Sequence, residues 1–304
     1  MFIINKQSYW RLYFNKLRRK QYVYYPPPQK IFIFGSSSTG KRLLPIIEKR
    51  YSVIGFLDNA KNRWNEKVDG YTIYPPSHIN NEKYDSIIIA ATTGYEPVTE
   101  QLVAMGVDRG KINTEYVVVP VKSRITFLEK LGEIFTEKRI DGCVAEGGVF
   151  QGEFAKEINR VFPTKKLYLF DTFSGFDKRD IDTEQQNQYS EFGESHLSNT
   201  SEELVMGKMK FPEMCIIKKG YFPETTAGVS EKFCFVNLDF DLYQPILAGI
   251  EYFYPRMVKG GVILIHDYFS EGYKGVKEAV KEFDRKNGIN VFPIGDGISI
   301  GIYC

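Results

Sequence analysis

The chain lacks the usual marks of a secreted, membrane-spanning or nucleic-acid-binding protein. Its 304 residues hold only four cysteines, Cys143, Cys215, Cys234 and Cys304, with no Cys-x-x-Cys pair. That argues against a disulfide framework or a structural zinc site and for a reducing cytoplasm. No run of about eighteen apolar residues occurs, so no transmembrane helix is expected. The N-terminal stretch MFIINKQSYWRLYF has neither the apolar core nor the small-residue cleavage site of a signal peptide. Neither charge sign dominates: 40 basic and 38 acidic residues leave a net +2, a poor match to a nucleic-acid binder. Low-complexity tracts and short repeats are also missing. What is present is globular material, 43% hydrophobic and 15% aromatic, over a length of about two domains.

Three segments are expected. Residues 1–29 are basic and aromatic, and the first acid of the chain is Glu48. A helix over 5–20 would put Trp10, Phe14 and Leu17 on one side and bases on the other, until YYPPPQ stops it. Such a helix fits a peripheral contact with the inner face of an anionic membrane. The plainer reading, which we prefer, packs it on its own domain or on a partner subunit of a homo-oligomer.

Residues 30–121 read as alternating strands and helices: KIFIF (30–34), a turn GSSSTG, a helix over 41–50, SVIGFLD (52–58), YDSIIIA (84–90), a helix over 94–106 and a closing apolar run EYVVVPV (115–121). Continuous Ile/Val/Phe runs between helices indicate a parallel sheet covered on both faces. Residues 122–304 repeat the scheme, opening with a helix over 122–140 whose Ile125, Leu128, Leu131 and Ile134 recur at helical spacing. The fold class is therefore α/β with two Rossmann-like domains. The last apolar runs flank Asp296-Gly297, a hairpin signal. A parallel sheet that finishes in an antiparallel hairpin is the class I methyltransferase layout.

Ligands of open parallel sheets bind beyond the carboxyl ends of the strands. In the second half those ends are Glu146, Asp171, Asp239 and Asp267. Carboxylates crowd there at a cost unless something positive joins them. A dinucleotide pyrophosphate is the wrong guest for a glycine turn headed by an acid, Glu146-Gly147-Gly148-Val149-Phe150-Gln151-Gly152. S-adenosylmethionine carries a sulfonium, an ammonium and no phosphate, and suits it. Asp171, at the end of the next strand, stands where an acid accepts from ribose hydroxyls. A polar stretch over 176–204 has the character of a closing lid.

The strings VAEGGVFQGEFA, LYLFDTFSGF, IIKKGYFPETT and VNLDFDLYQPILAGIEYFYPRMVKGGVILIHDY carry a resemblance. Residues 122–304 resemble the macrocin O-methyltransferase family, which methylates sugar hydroxyls. The resemblance implies a cofactor site of Glu146, Gly148, Gly152, Asp171, Thr172, Phe173, Gly220, Phe222 and Asp239. It also implies a divalent metal, magnesium or else manganese, on three acids. By position these are Asp239, His266 and Asp267, so a histidine stands where the family has a carboxylate. Imidazole suits manganese, zinc or iron better than magnesium. His266 is then a ligand, an orienter of its neighbours, the base itself or a structural residue. Adjacent strands lie about 4.8 Å apart, close enough for Asp239 and Asp267 to share one ion. Asp239 is the candidate general base. Asp241, two residues on, points to the opposite face if the strand continues. Tyr221 and Phe222 are equally readable as core.

In the first half, GSSSTGKR nearly spells a phosphate loop, but Arg42 stands where a hydroxyl is required. The better reading is a Rossmann-type turn with Asp58 after the next strand. Gly35, Ser36, Ser37, Gly40 and Asp58 then form a candidate nucleotide or nucleotide-sugar site, unless the domain is only a scaffold. The expected activity is methylation of a saccharide or nucleotide-sugar hydroxyl in glycan biosynthesis, in the cytoplasm. The rivals are a nucleotide-sugar oxidoreductase or epimerase using the first domain, and a non-catalytic organiser of glycan assembly.

Overall fold

Short apolar runs broken by glycine and acid build two separate sheets. The computed structural model describes residues 28–91 and 94–304; the helix expected over 5–20 lies outside them. Contacts divide the chain into two compact units between Val118 and Val119.

Unit 1 runs β1 (Lys30–Phe34), α1 (Ser38–Ile47), β2 (Ser52–Leu57), β3 (Lys67–Val68), β4 (Tyr71–Tyr74), β5 (Ser86–Ile89), α2 (Tyr95–Ala104) and β6 (Ile112–Asn113). The sheet order is β3-β4-β2-β1-β5-β6, and only the β3–β4 pair is antiparallel. KIFIF forms the central strand because side chains alternate between faces. Ile31 and Ile33 enter one buried cluster, and Phe32 and Phe34 the other. Helix α1 starts at Ser38, earlier than expected, so the turn shortens to Gly35–Ser37.

Helix α3 (Glu115–Glu137) opens in unit 1 and carries most of its length in unit 2. The strand expected at EYVVVPV is instead its first turns. As a strand, Val117, Val119 and Val121 would share a face; as a helix, only Val117 is buried and the other two are exposed. The Asn113 side chain accepts the Glu115 amide, and the Thr114 carbonyl accepts those of Val117 and Val118. These bonds start the helix despite its β-branched residues.

Unit 2 continues with β7 (Cys143–Gly147), α4 (Ala155–Val161), β8 (Leu167–Asp171), α5 (Lys178–Asn187), α6 (Glu202–Met206), β9 (Cys215–Lys219), β10 (Phe233–Leu238), α7 (Tyr243–Phe253), β11 (Met257–Ile265), α8 (Lys274–Asn287), β12 (Asn290–Pro293) and β13 (Ile300–Tyr303). The order is β12-β13-β11-β10-β7-β8-β9, with β13 antiparallel to both neighbours. The Asp296 side chain closes the hairpin turn, accepting from the Ile298 and Ser299 amides and the Ser299 hydroxyl. Every residue of β10 is buried, so Phe235→Ala there costs about 3–5 kcal/mol. The order reverses between β7 and β10, and open α/β sheets bind their ligands beyond the carboxyl ends of the strands at such a point. The polar stretch 176–204 is partly helical: α5 buries Asp180, Ile181 and Glu184. Among the described residues no helix is long and apolar enough to cross a membrane.

Candidate active site

Glu146 ends β7 fully enclosed, 1% exposed. Its neighbour on β10, Asn237, donates to Oε1 at 2.8 Å, while Oε2 has no hydrogen-bond partner. Burial first, and then the nearby Asp239 charge, hold Glu146 well above the usual carboxylate range. Gly148 follows with φ +79°, and a Cβ there would lie 2.1 Å from the Asp239 carbonyl oxygen. Only glycine lets the turn press against the end of β10.

Asp171 ends β8 and holds that turn. Its Oδ2 accepts the Val149 and Phe150 amides at 2.7 and 2.9 Å, and its Oδ1 accepts the Phe173 amide at 2.7 Å. Burial raises its pKa despite these donors. The ribose acceptor expected at Asp171 is thus also the turn's clasp, with three of about four lone-pair positions in use. Thr172 donates its hydroxyl to the Gly175 carbonyl at 2.6 Å, and Gly152 faces Val205 of α6. The Gly220 amide donates to the Asp171 carbonyl at 2.9 Å. Phe173 and Phe222 are core residues, 7% and 4% exposed. Phe222 packs on Phe170, Phe240 and Phe253.

Beyond β10 and β11 the structure brings Asp239, His266 and Asp267 together. The His266 Nδ1 lies 2.9 Å from Asp239 Oδ1 and 2.7 Å from Asp267 Oδ2. Burial opposes charge on the imidazole, but the two carboxylates outweigh it and raise its pKa to about 10. Asp267 is buried too, yet the His266 charge holds it below the ordinary value. Asp241 does not point away as a continuing strand would require. The strand ends at Leu238, Asp241 adopts φ +64°, and its carboxyl meets Asp267. Burial and the Asp267 charge keep Asp241 well above the usual range.

One ligand atom each from Asp239, His266 and Asp267 lies within 4.8 Å of the others. The set fits a divalent ion that takes the place of the His266 Nδ1 proton, and its nitrogen favours manganese over magnesium.

Two features escape the sequence. Arg124 of α3 reaches Asp239 Oδ2 at 3.3 Å with its guanidinium 4.3 Å from the Phe154 ring centroid. Tyr273, largely enclosed near Asp241, Asp267 and Asp239, meets the His196 Nε2 through its hydroxyl at 3.0 Å. His196 stacks on Phe192 at 4.0 Å. No local pattern marks Arg124, which is 115 residues from its partner.

In unit 1, Asp58 Oδ2 accepts the Ser36 amide at 2.9 Å and its hydroxyl at 2.5 Å, and Oδ1 accepts the Ala60 amide at 2.9 Å. Arg63 donates to the same Ser36 hydroxyl at 2.8 Å. Burial notwithstanding, these donors and the Arg63 charge lower the Asp58 pKa. Gly35 has φ +108°, Ser37 stands at the N-cap position of α1 without a side-chain cap bond, and a Cβ at Gly40 would meet the Gly35 carbonyl at 2.1 Å. The candidate nucleotide residues therefore assemble around one another.

Strand order, hairpin and acid rim define unit 2 as a class I methyltransferase fold. The solved structure of CalS11, a calicheamicin methyltransferase, matches with a TM-score of 0.50 at 16% identity over 69% of this chain and 93% of that one. The O-methyltransferase NovP matches with a TM-score of 0.48 at 20% identity, covering 60% of this chain and 79% of its own. UDP-D-quinovosamine 4-dehydrogenase from Vibrio fischeri matches over 30% of this chain and 84% of its own, with a TM-score of 0.25 at 20% identity. Residues 28–113 match the family described as C2185-like, N-terminal. No curated protein matches the chain.

Proposed function

We propose that unit 2 binds S-adenosylmethionine along its sheet rim and directs methyl transfer to a saccharide hydroxyl. The observation that carries this reading is the buried, unpartnered Glu146 Oε2 at the head of a glycine turn, in a row with four further acids. Leaving such an oxygen unpaired costs about 1–3 kcal/mol, which a cationic ligand group offsets. The bound donor supplies an electrophilic methyl group on a sulfonium sulfur. Glu146 accepts from the ammonium end, and Asp171 orders the turn and offers its remaining lone pair to a ribose hydroxyl. Asp239 takes the proton of the acceptor hydroxyl at a carboxylate oxygen. Until an ion takes its place, the His266 Nδ1 proton bridges Asp239 and Asp267 and fixes the orientation of both acids. A divalent ion held by Asp239, Asp267 and His266 would supply Lewis acidity that lowers the hydroxyl pKa.

The saccharide acceptor is supported by the family resemblance of residues 122–304. In unit 1 the rim acid Asp58 is neutralised within the unit, which supports a scaffolding or weak nucleotide-binding role there. Calorimetry on the full chain with S-adenosylmethionine and with NAD, followed by transfer of a labelled methyl group to candidate nucleotide-sugars, tests the reading. Binding of the methyl donor and labelling of a sugar are expected. Tight NAD binding without donor binding would assign the activity to unit 1 instead.

A further inference from the structure

We infer that Arg124 clamps the carboxylate at the amino-acid end of the methyl donor; this deepens the function proposed above and rests on it. That end of the donor is a zwitterion, with an ammonium and a carboxylate on one carbon. The rim answers the ammonium with Glu146 and its neighbours, but the same acids repel a carboxylate unless a fixed cation is near. Among the described residues two cationic side chains enter the cluster. The His266 Nδ1 is already shared between Asp239 and Asp267. Arg124 is not so committed. Among the described residues its guanidinium makes one hydrogen bond, from Nη1 to Asp239 Oδ2 at 3.3 Å, long for a charge-assisted contact. The group carries five N–H donors in a planar fork suited to a carboxylate.

Its placement is set from two directions. The side chain is only 15% exposed, and the guanidinium lies over Phe154, two residues past Gly152, where the glycine turn gives way to α4. Its charge is felt by Glu146, His266 and Asp267 as well as by its partner Asp239. The cation therefore lies inside the ring of acids, beside the Gly148 backbone that packs on Asp239. A carboxylate arriving there draws the fork toward itself and lengthens the Arg124–Asp239 contact.

The test compares S-adenosylmethionine with decarboxylated S-adenosylmethionine by calorimetry on the full chain. Arg124→Gln is expected to weaken S-adenosylmethionine about 10- to 100-fold and to leave the decarboxylated compound within about twofold. Retained binding of the latter also shows that the variant is folded. Arg124→Lys, which keeps the charge but loses the fork, is expected to recover part of the loss. Equal weakening of both ligands, or none of either, would overturn the clamp while leaving donor binding by the unaltered chain intact. Failure of the unaltered chain to bind either compound would remove the proposed function and the clamp with it.

Discussion

Both units use the same device at the same place. An acid ending the second strand turns back to clasp the turn after the first: Asp58 on Ser36 in unit 1, Asp171 on the Val149 and Phe150 amides in unit 2. The surroundings differ. In unit 1 Arg63 meets the clasped Ser36 hydroxyl and its charge reaches Asp58. In unit 2 Glu146, Asp239, Asp241 and Asp267 add a second row of acids, and one Glu146 oxygen has no partner. A Rossmann-like turn is thus a way of closing a sheet edge; what sets unit 2 apart is the gathering of acids around it, one of them with a buried oxygen that has no partner.

The largest effect expected from this contrast is on turnover. Asp239→Asn lowers methyl transfer by at least about 100-fold in a labelled-methyl assay, with donor affinity changing far less. The matched change in unit 1, Asp58→Ala, breaks its clasp at about 1–3 kcal/mol of stability and leaves turnover within about twofold. Loss of turnover in both would erase the distinction. The next effect concerns the ion. Chelation is expected to suppress transfer, with manganese restoring it better than magnesium, and His266→Asp to reverse that preference. Full activity after exhaustive chelation would remove the metal from the account. A smaller change is expected of Glu146→Gln, which should weaken donor binding about tenfold while leaving the thermal midpoint unchanged or raised.

Much of this contrast was legible in the sequence. Strands β7, β8, β10 and the second half of β11 are buried on both faces, so they read as largely apolar runs, and the first acid after each run lands on the rim. The Asp-Gly turn announced the hairpin in the same way. What stayed hidden depends on contacts that no local pattern encodes. Arg124 looks like an ordinary polar helix position until α3 brings it to Asp239. Asp241 turns inward because the strand stops at Leu238, and aspartate tolerates the left-handed conformation better than most residues. Residues 115–121 carry β-branched side chains but join a helix that continues for several turns, and tertiary context outweighs their propensity.

The smallest expected effect lies in the segment read as a lid. Burial raises Glu184 to about 7, although the Tyr243 amide it accepts opposes the shift, and burial raises Asp180 to about 6. The folded chain thus holds these protons more tightly than the unfolded chain. Their contribution is intact below about pH 4, declines as the unfolded carboxyls ionise, and levels off above about pH 7. Glu184→Gln should flatten that part of the thermal midpoint curve between pH 4 and 8; parallel curves for the two proteins would show that Glu184 is not held protonated.

The most direct measurement is a crystal structure of the full chain grown with S-adenosylhomocysteine and manganese, using anomalous scattering to find the ion. The account predicts the nucleoside beside Asp171, the amino-acid end between Glu146 and Arg124, and the ion among Asp239, His266 and Asp267. A ligand seated on the Gly35–Ser37 turn of unit 1, with the acid row of unit 2 bare, would contradict it.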